Sequence, residues 1–199
     1  LSDRIEKEFL DRGNDSTNVS ILPCGIDIDS YHIDEKDILF PDRSIVVGKI
    51  EPRKRQAFLQ HKGLNIDFIG NNSDGNFDID DPCYFGEQSK EDIMENLTSY
   101  ANMVLLSSGE AHPFVCLEGM AAGLGLVLSE QSTANLDISQ PFITVIPDHK
   151  LNDTQFLKEQ IDTNRRVAIG MRKEIRQYCR DNFDWCAIIN KYKEIIESI

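Results

Sequence analysis

Positive charge is scarce in this sequence. Lys and Arg number 21 against 34 Asp and Glu, giving a formal net charge of −13 over 199 residues. Non-specific nucleic-acid binding needs clustered cations, so no nucleic-acid partner is expected. The acidic excess reads as a solvated face and still leaves room for one local cationic pocket. No apolar run approaches the roughly 18 residues of a membrane span, and no basic, apolar, small-residue leader opens the chain. The cysteines are few and odd in number: Cys24, Cys83, Cys116, Cys179 and Cys186. With no C-x-x-C pair, they argue against a zinc site or a disulfide framework. Reduced thiols fit a cytoplasmic location, peripheral to a membrane if a longer parent protein is so placed. The N-x-S/T triplets at Asn71 and Asn96 then read as chance matches. No G-x-G-x-x-G follows a strand, which argues against a nicotinamide dehydrogenase. No internal repeat or low-complexity tract occurs. The first residue is Leu rather than Met, as expected of a fragment or a processed chain.

What is present is an alternation of strands and helices. Apolar spacing of Ile5, Phe9 and Leu10 predicts a helix over 1–13, closed by Gly13. The segment 20–32, SILPCGIDIDSYH, reads as a strand running into a turn at Pro23 and Gly25, and 29–43 as an acidic connector. Strands are predicted at 44–50, 64–71, 103–108, 124–130 and 141–146, with a brief one at 84–86. Helices are predicted at 51–63, with Pro52 near its start, at 89–101, with a capping-box-like Ser89 and Asp92, and at 113–122. The stripe Ile93, Leu97, Tyr100 supports the second of these. Residues from about 151 to 198 read as two or three helices. Such alternation predicts an α/β fold, a Rossmann-like parallel sheet with helices on both faces and a helical C-terminal tail. Ligands of such sheets sit beyond the carboxyl ends of the strands, which singles out loops 48–54, 70–76, 84–89 and 107–114.

Two of these loops carry unusual chemistry. In GEAHPFVCLEGMAAGLG, 109–125, Gly109 leaves a strand and Pro113 opens a helix whose free N–H groups form an anion site. Glu110 precedes that helix and Glu118 lies within it. Carboxylates repel phosphate but accept hydrogen bonds from vicinal hydroxyls. The two acids can flank a phosphate at the helix start, as a ligand ordered polyol, phosphate, polyol requires; a sugar nucleotide has that order. Two glutamates at this spacing equally fit an ordinary surface helix. In GKIEPRK, 48–54, the cations Lys49, Arg53 and Lys54, with Arg55 next, follow a strand in an otherwise acidic chain. Cations at a helix start oppose its dipole, and a bound diphosphate would compensate, which favours a ligand here over a merely solvated helix start.

Taken together, ILPCGID (21–27), VGKIEPRK (47–54), GEAHPFVCLEGMAAGLGLVLSE (109–130) and FDW (183–185) make the chain resemble the C-terminal, donor-binding half of a GT-B glycosyltransferase. The family is the large retaining one with an E-x7-E signature (glycosyltransferase group 1, family 4-like). The resemblance covers nearly the whole chain and implies one half of a GT-B fold. It implies the end of the N-terminal half and the connector at 1–40, a nucleotide-sugar-binding domain at 41–150 and C-terminal helices at 151–199. By position, Lys54 would bind the donor diphosphate, with Gly48 and Lys49 beside it. Glu110 would hold hydroxyls of the transferred sugar and Glu118 those of the ribose. Backbone at Phe114 and Val115 would bind phosphate or sugar, with His112 and Pro113 lining the same subsite. Tyr84, Phe85 and Gly86 would lie near the nucleobase. Glu110 and Lys54 would carry the catalysis.

The implied reaction moves a sugar from a nucleotide-diphosphate donor to an acceptor hydroxyl with retention, part of carbohydrate biosynthesis. The departing phosphate oxygen itself can take the acceptor proton, so no general base is assigned; His112 is a candidate for steering that step or a packing residue. Neither metal nor cofactor is expected, and FDIDD (77–81) reads as a solvated loop. The acceptor, a glycan, lipid or small molecule, would be bound by an N-terminal half that the resemblance does not include, which implies inactivity of this segment alone. Lys49 stands where the family usually has Arg, and Ala111-His112-Pro113-Phe114 replaces a glycine-rich run. A non-catalytic nucleotide-sugar-binding module remains an alternative. A receiver-like domain does not fit, because the first strand ends in cations rather than acids.

Overall fold

In a computed structural model that describes residues 3–13, 20–33 and 38–197, one five-stranded, all-parallel sheet organises the chain. Its strands are β1 (Phe40–Val47), β2 (Ile66–Ile69), β3 (Tyr100–Leu105), β4 (Gly125–Ser129) and β5 (Ile143–Ile146), in the order β2-β1-β3-β4-β5. The helices are α1 (Asp3–Asp11), α2 (Gln56–Gln60), α3 (Lys90–Asn96), α4 (Phe114–Ala121), α5 (Thr154–Gly170), α6 (Arg172–Phe183) and α7 (Trp185–Glu197).

The continuous apolar runs of the central strands follow from burial on both faces. Ile45, Val47, Met103, Leu105, Leu126 and Leu128 face one core with Leu117 and Met120 of α4 and Ile175 of α6. Val46, Val104 and Val127 point to the other, with Leu59 of α2 and Leu157 and Ile161 of α5. Close helix–strand approach depends on small residues. A Cβ on Gly125 of β4 would lie 2.6 Å from Asn164 Oδ1 and 2.7 Å from Ala168 Cβ of α5. Gly123, at φ 80°, reverses the chain after α4, a conformation open to glycine.

Five sequence expectations are corrected. The segment 20–32 is no strand: Ile26 makes one bridge, with Asp184, and Ile28–Ser30 form a 3-10 turn. Its apolar residues are there because Ile26, Ile28 and Tyr31 fill the core. The helix expected over 51–63 divides into a 3-10 turn, Pro52–Lys54, and α2, because Arg55 takes a left-handed conformation (φ 58°). Tyr84 to Gly86 contribute a single bridge, Phe68 with Tyr84, rather than a strand. The helix expected to reach 101 stops as α3 at Asn96, tightens through Leu97–Ser99, and releases Tyr100 to begin β3. Its predicted start holds, with the Ser89 hydroxyl accepting from the Asp92 amide at 3.1 Å. β1 begins at Phe40, four residues before the expected strand. Part of the connector, 34–37, lies outside the described residues.

Candidate functional site

The carboxyl ends of β1 and β2 are joined beyond the sheet by backbone contact. The Gly48 amide donates to the Ile69 carbonyl at 2.9 Å, Ile50 to Asn71 at 2.8 Å, and Gly70 to the Gly86 carbonyl at 2.8 Å. Gly70, at φ 149°, approaches so closely that a Cβ there would lie 2.1 Å from the Gly48 carbonyl oxygen. A cleft of about 440 Å³ opens at this junction, lined by Gly48, Lys49, Gly70, Asn71, Glu87 and Gln88 among others.

The two chemically unusual loops come together. The Ser108 amide donates to the Arg53 carbonyl at 2.8 Å. The Arg53 guanidinium donates to the Gly109 carbonyl, to Ser107 Oγ at 3.2 Å and to Glu110 Oε1 at 3.0 Å, and pairs with Glu51 at 2.7 Å. Fully buried Gln56 braces the first loop, donating to the Lys49 carbonyl at 2.9 Å and accepting from the Glu51 amide at 3.2 Å. Arg55 turns away, donating to the Leu106 carbonyl at 3.2 Å. The four cations therefore divide: Arg53 and Arg55 serve protein groups, whereas Lys49 and Lys54 form no ion pair among the described residues.

Lys54 reaches back over the strand end. A Cβ on Gly48 would lie 2.9 Å from its ammonium, so the glycine leaves room for it. The buried Cys116 thiol in the first turn of α4 shows what surrounds it. Its pKa is pushed up by burial first and by the charges of Glu110 and Glu118, and pulled down by Lys54. The first loop, with Lys54, and the second, with Glu110, thus meet at the start of the helix that carries Glu118. That start carries no side-chain cap, and Pro113 supplies the N-cap position. The Cys116 amide bonds to the Pro113 carbonyl at 2.9 Å, while Phe114 and Val115, ahead of it, present the amides left over at a helix N-terminus.

Glu118 is half-buried and accepts from the Tyr31 hydroxyl at 2.8 Å. Burial pushes its carboxyl pKa up, opposed by the Tyr31 hydrogen bond and by the charge of Lys90. His112 contacts Asn135 through Nδ1 at 2.8 Å and faces Phe183, with Nε2 buried. Burial holds its pKa below the ordinary value, so the ring is neutral at neutral pH. Tyr84 is a packing residue, its hydroxyl on the Gly70 carbonyl at 2.8 Å and its ring edge-on to Phe77. Phe85 is exposed and lines an adjoining, largely apolar groove with Phe40, Ile93 and Tyr100, which shares Ile69, Gln88 and Ile93 with the cleft. Sequence reasoning missed Tyr31, Asn135 and Lys90, whose partners come from distant elements, and it grouped Arg53 with the phosphate cations. Among the described residues no set of His, Cys, Asp and Glu side chains is placed to hold a metal ion, and no helix is long and apolar enough to cross a membrane.

No protein-family profile matches the sequence, and no curated protein does. Solved structures match over its full length. Sucrose-phosphate synthase from Thermosynechococcus elongatus superposes with a TM-score of 0.71 at 16% identity, covering 100% of this chain and 57% of that one. HepE from Anabaena, solved with UDP and glucose, gives 0.68 at 16%, covering 100% and 62%. The lipopolysaccharide outer core galactosyltransferase WaaB gives 0.72 at 12%, covering 99% and 60%. The chain thus spans about three-fifths of the length of these structures and has the Rossmann-like fold of one half of a GT-B glycosyltransferase.

Proposed function

We propose that this chain is the donor-binding part of a retaining glycosyltransferase, taking a nucleotide-diphosphate sugar. The observation that carries the proposal is the meeting of the loop that bears Lys54 with the loop that bears Glu110, joined by the Ser108–Arg53 backbone bond and the Arg53–Glu110 pair, at the uncapped start of the helix that bears Glu118. A diphosphate carries about two negative charges, and the amides of Phe114 and Val115, the helix dipole and the Lys54 ammonium supply matching positive potential. Lys49, in the adjoining cleft, adds a second cation. The carboxylates stand where neutral polyols would lie, Glu118 toward the ribose and Glu110 toward the sugar. Backbone at Gly86 and the neighbouring cleft would receive the base. That a neighbour of the same fold has been solved with UDP-glucose supports the ligand class.

In the proposed reaction the bond from the anomeric carbon to the diphosphate oxygen breaks. A new bond to the acceptor oxygen forms on the same face, and the leaving phosphate oxygen takes the acceptor's proton. Lys54 and the amides of α4 stabilise the charge gained by the leaving group, and Glu110 orients the sugar. An acceptor-binding half would complete the site.

Calorimetric titration with a panel of nucleoside diphosphates and nucleotide sugars tests the proposal. One saturable ligand, weakened by both Lys54→Ala and Glu118→Gln, supports it. A folded chain that binds none of the panel contradicts it. Turnover by a protein containing this chain and an acceptor-binding half separates an enzyme from a non-catalytic binding module.

A further inference from the structure

Tyr31 is 2% exposed, and its hydroxyl ends at 2.8 Å from Oε1 of Glu118, 87 residues away in sequence. A buried tyrosine hydroxyl needs a polar partner, and a carboxylate offers acceptor positions on two oxygens. A single O–H donor occupies only one of them. The Tyr31 hydroxyl is itself held in its protonated, donating form, chiefly by burial and then by the Glu118 charge.

The pair is held from both sides by one arginine. Arg176 of α6 donates from Nη1 to the Tyr31 carbonyl at 2.9 Å and to the carbonyl of Ala121, which ends α4. From Nη2 it donates to the Ile28 carbonyl at 3.0 Å. The backbone that carries Tyr31 and the helix that carries Glu118 are thereby fixed to the same guanidinium. A second tie, Arg180 to Asp29 at 2.5 Å, holds the 3-10 turn ahead of Tyr31 to α6. These ties hold the Tyr31 hydroxyl against a carboxylate that burial leaves poorly solvated.

We propose that Tyr31 is a positioning residue: its hydroxyl pins one oxygen of Glu118, so that the remaining acceptor positions meet the vicinal diol of the ligand's ribose. The proposal rests on the donor site described above. It makes the segment preceding the sheet a contributor to ligand affinity, through a residue that touches no ligand atom.

The test compares Tyr31→Phe with the unaltered chain, by calorimetry. Two probes are used: the nucleoside diphosphate that the chain binds, and its dideoxy analogue lacking both ribose hydroxyls. Losing a hydrogen bond to a charged group predicts about a tenfold weakening of the ribonucleotide in Tyr31→Phe. The dideoxy analogue should bind both proteins alike, which also shows that the variant is folded around the same pocket. Adding Tyr31→Phe to Glu118→Gln should weaken the ribonucleotide no further. Equal weakening of both probes would make Tyr31 a structural residue and overturn the proposal, as would no effect on either. If the unaltered chain binds neither probe, the donor site itself fails, and the positioning role with it.

Discussion

Arg53 Nη1 lies 3.0 Å from Oε1 of Glu110, and the same guanidinium also pairs with Glu51. A cation from the first loop is thus directed to the acid of the second rather than left open to an anion. Arg53→Met should therefore weaken a nucleotide sugar relative to the bare nucleoside diphosphate. The pair is partly solvated, so the loss should be within about 1 kcal/mol, up to about fivefold in affinity. Calorimetry with both ligands checks it; equal loss of the two would make Arg53 a phosphate ligand.

Lys54 has the opposite standing. Its ammonium sits over Gly48 with no carboxylate paired to it among the described residues. Lys54→Ala should weaken the nucleoside diphosphate by about 1.5–3 kcal/mol, the range of a charge-assisted hydrogen bond. Binding of the unaltered chain should weaken with added salt, and the variant should show a shallower salt dependence. Unchanged diphosphate affinity in the variant would remove Lys54 from the site.

Two glycines separate by what they touch. A methyl group on Gly70 meets the Gly48 carbonyl at 2.1 Å, at φ 149°, whereas one on Gly25 meets the Trp185 ring at 2.5 Å. The first neighbour is backbone and cannot give; the second is a half-exposed side chain that can swing out. Gly70→Ala should lower stability by about 3 kcal/mol or more and Gly25→Ala by about 1 kcal/mol. Urea denaturation measures both, and a reversed order would contradict the close approach of the β1 and β2 ends.

His112 gives a pH signature. Its folded pKa is held below 6.5 by burial, so as pH falls the unfolded chain takes up this proton before the folded one does. Stability should be greatest above about 6.5 and be lost as pH falls from there through the lower folded value. His112→Gln should remove that part of the slope. Denaturation midpoints at several pH values between neutral and mildly acidic decide it; an unaltered slope would show that the ring titrates alike in the folded and unfolded chain, against the effect of burial.

Much of this architecture was legible because the central strands are buried on both faces, so that 103–106 and 126–128 stand out as apolar runs within the strands expected at 103–108 and 124–130. The misreadings have local physical causes. Ile26 and Ile28 are apolar for packing against the sheet's helices, which imitates a strand. Tyr100 keeps helical spacing with Ile93 and Leu97, yet it starts β3. Nothing in the residue type signals that Arg55 adopts a positive φ. Both acids and Lys54 could be read from one local segment each. Their partners, Arg53 for Glu110 and Tyr31 for Glu118, could not, because those pairs form between elements that only the tertiary fold brings together.

The most direct measurement is a crystal structure of the chain with a nucleotide sugar bound. The diphosphate should lie on the amides of Phe114 and Val115 and on Lys54, the ribose hydroxyls on Glu118, and the hexose on Glu110. A ligand seated instead in the apolar groove of Phe40 and Phe85, or a diphosphate remote from α4, would contradict that placement.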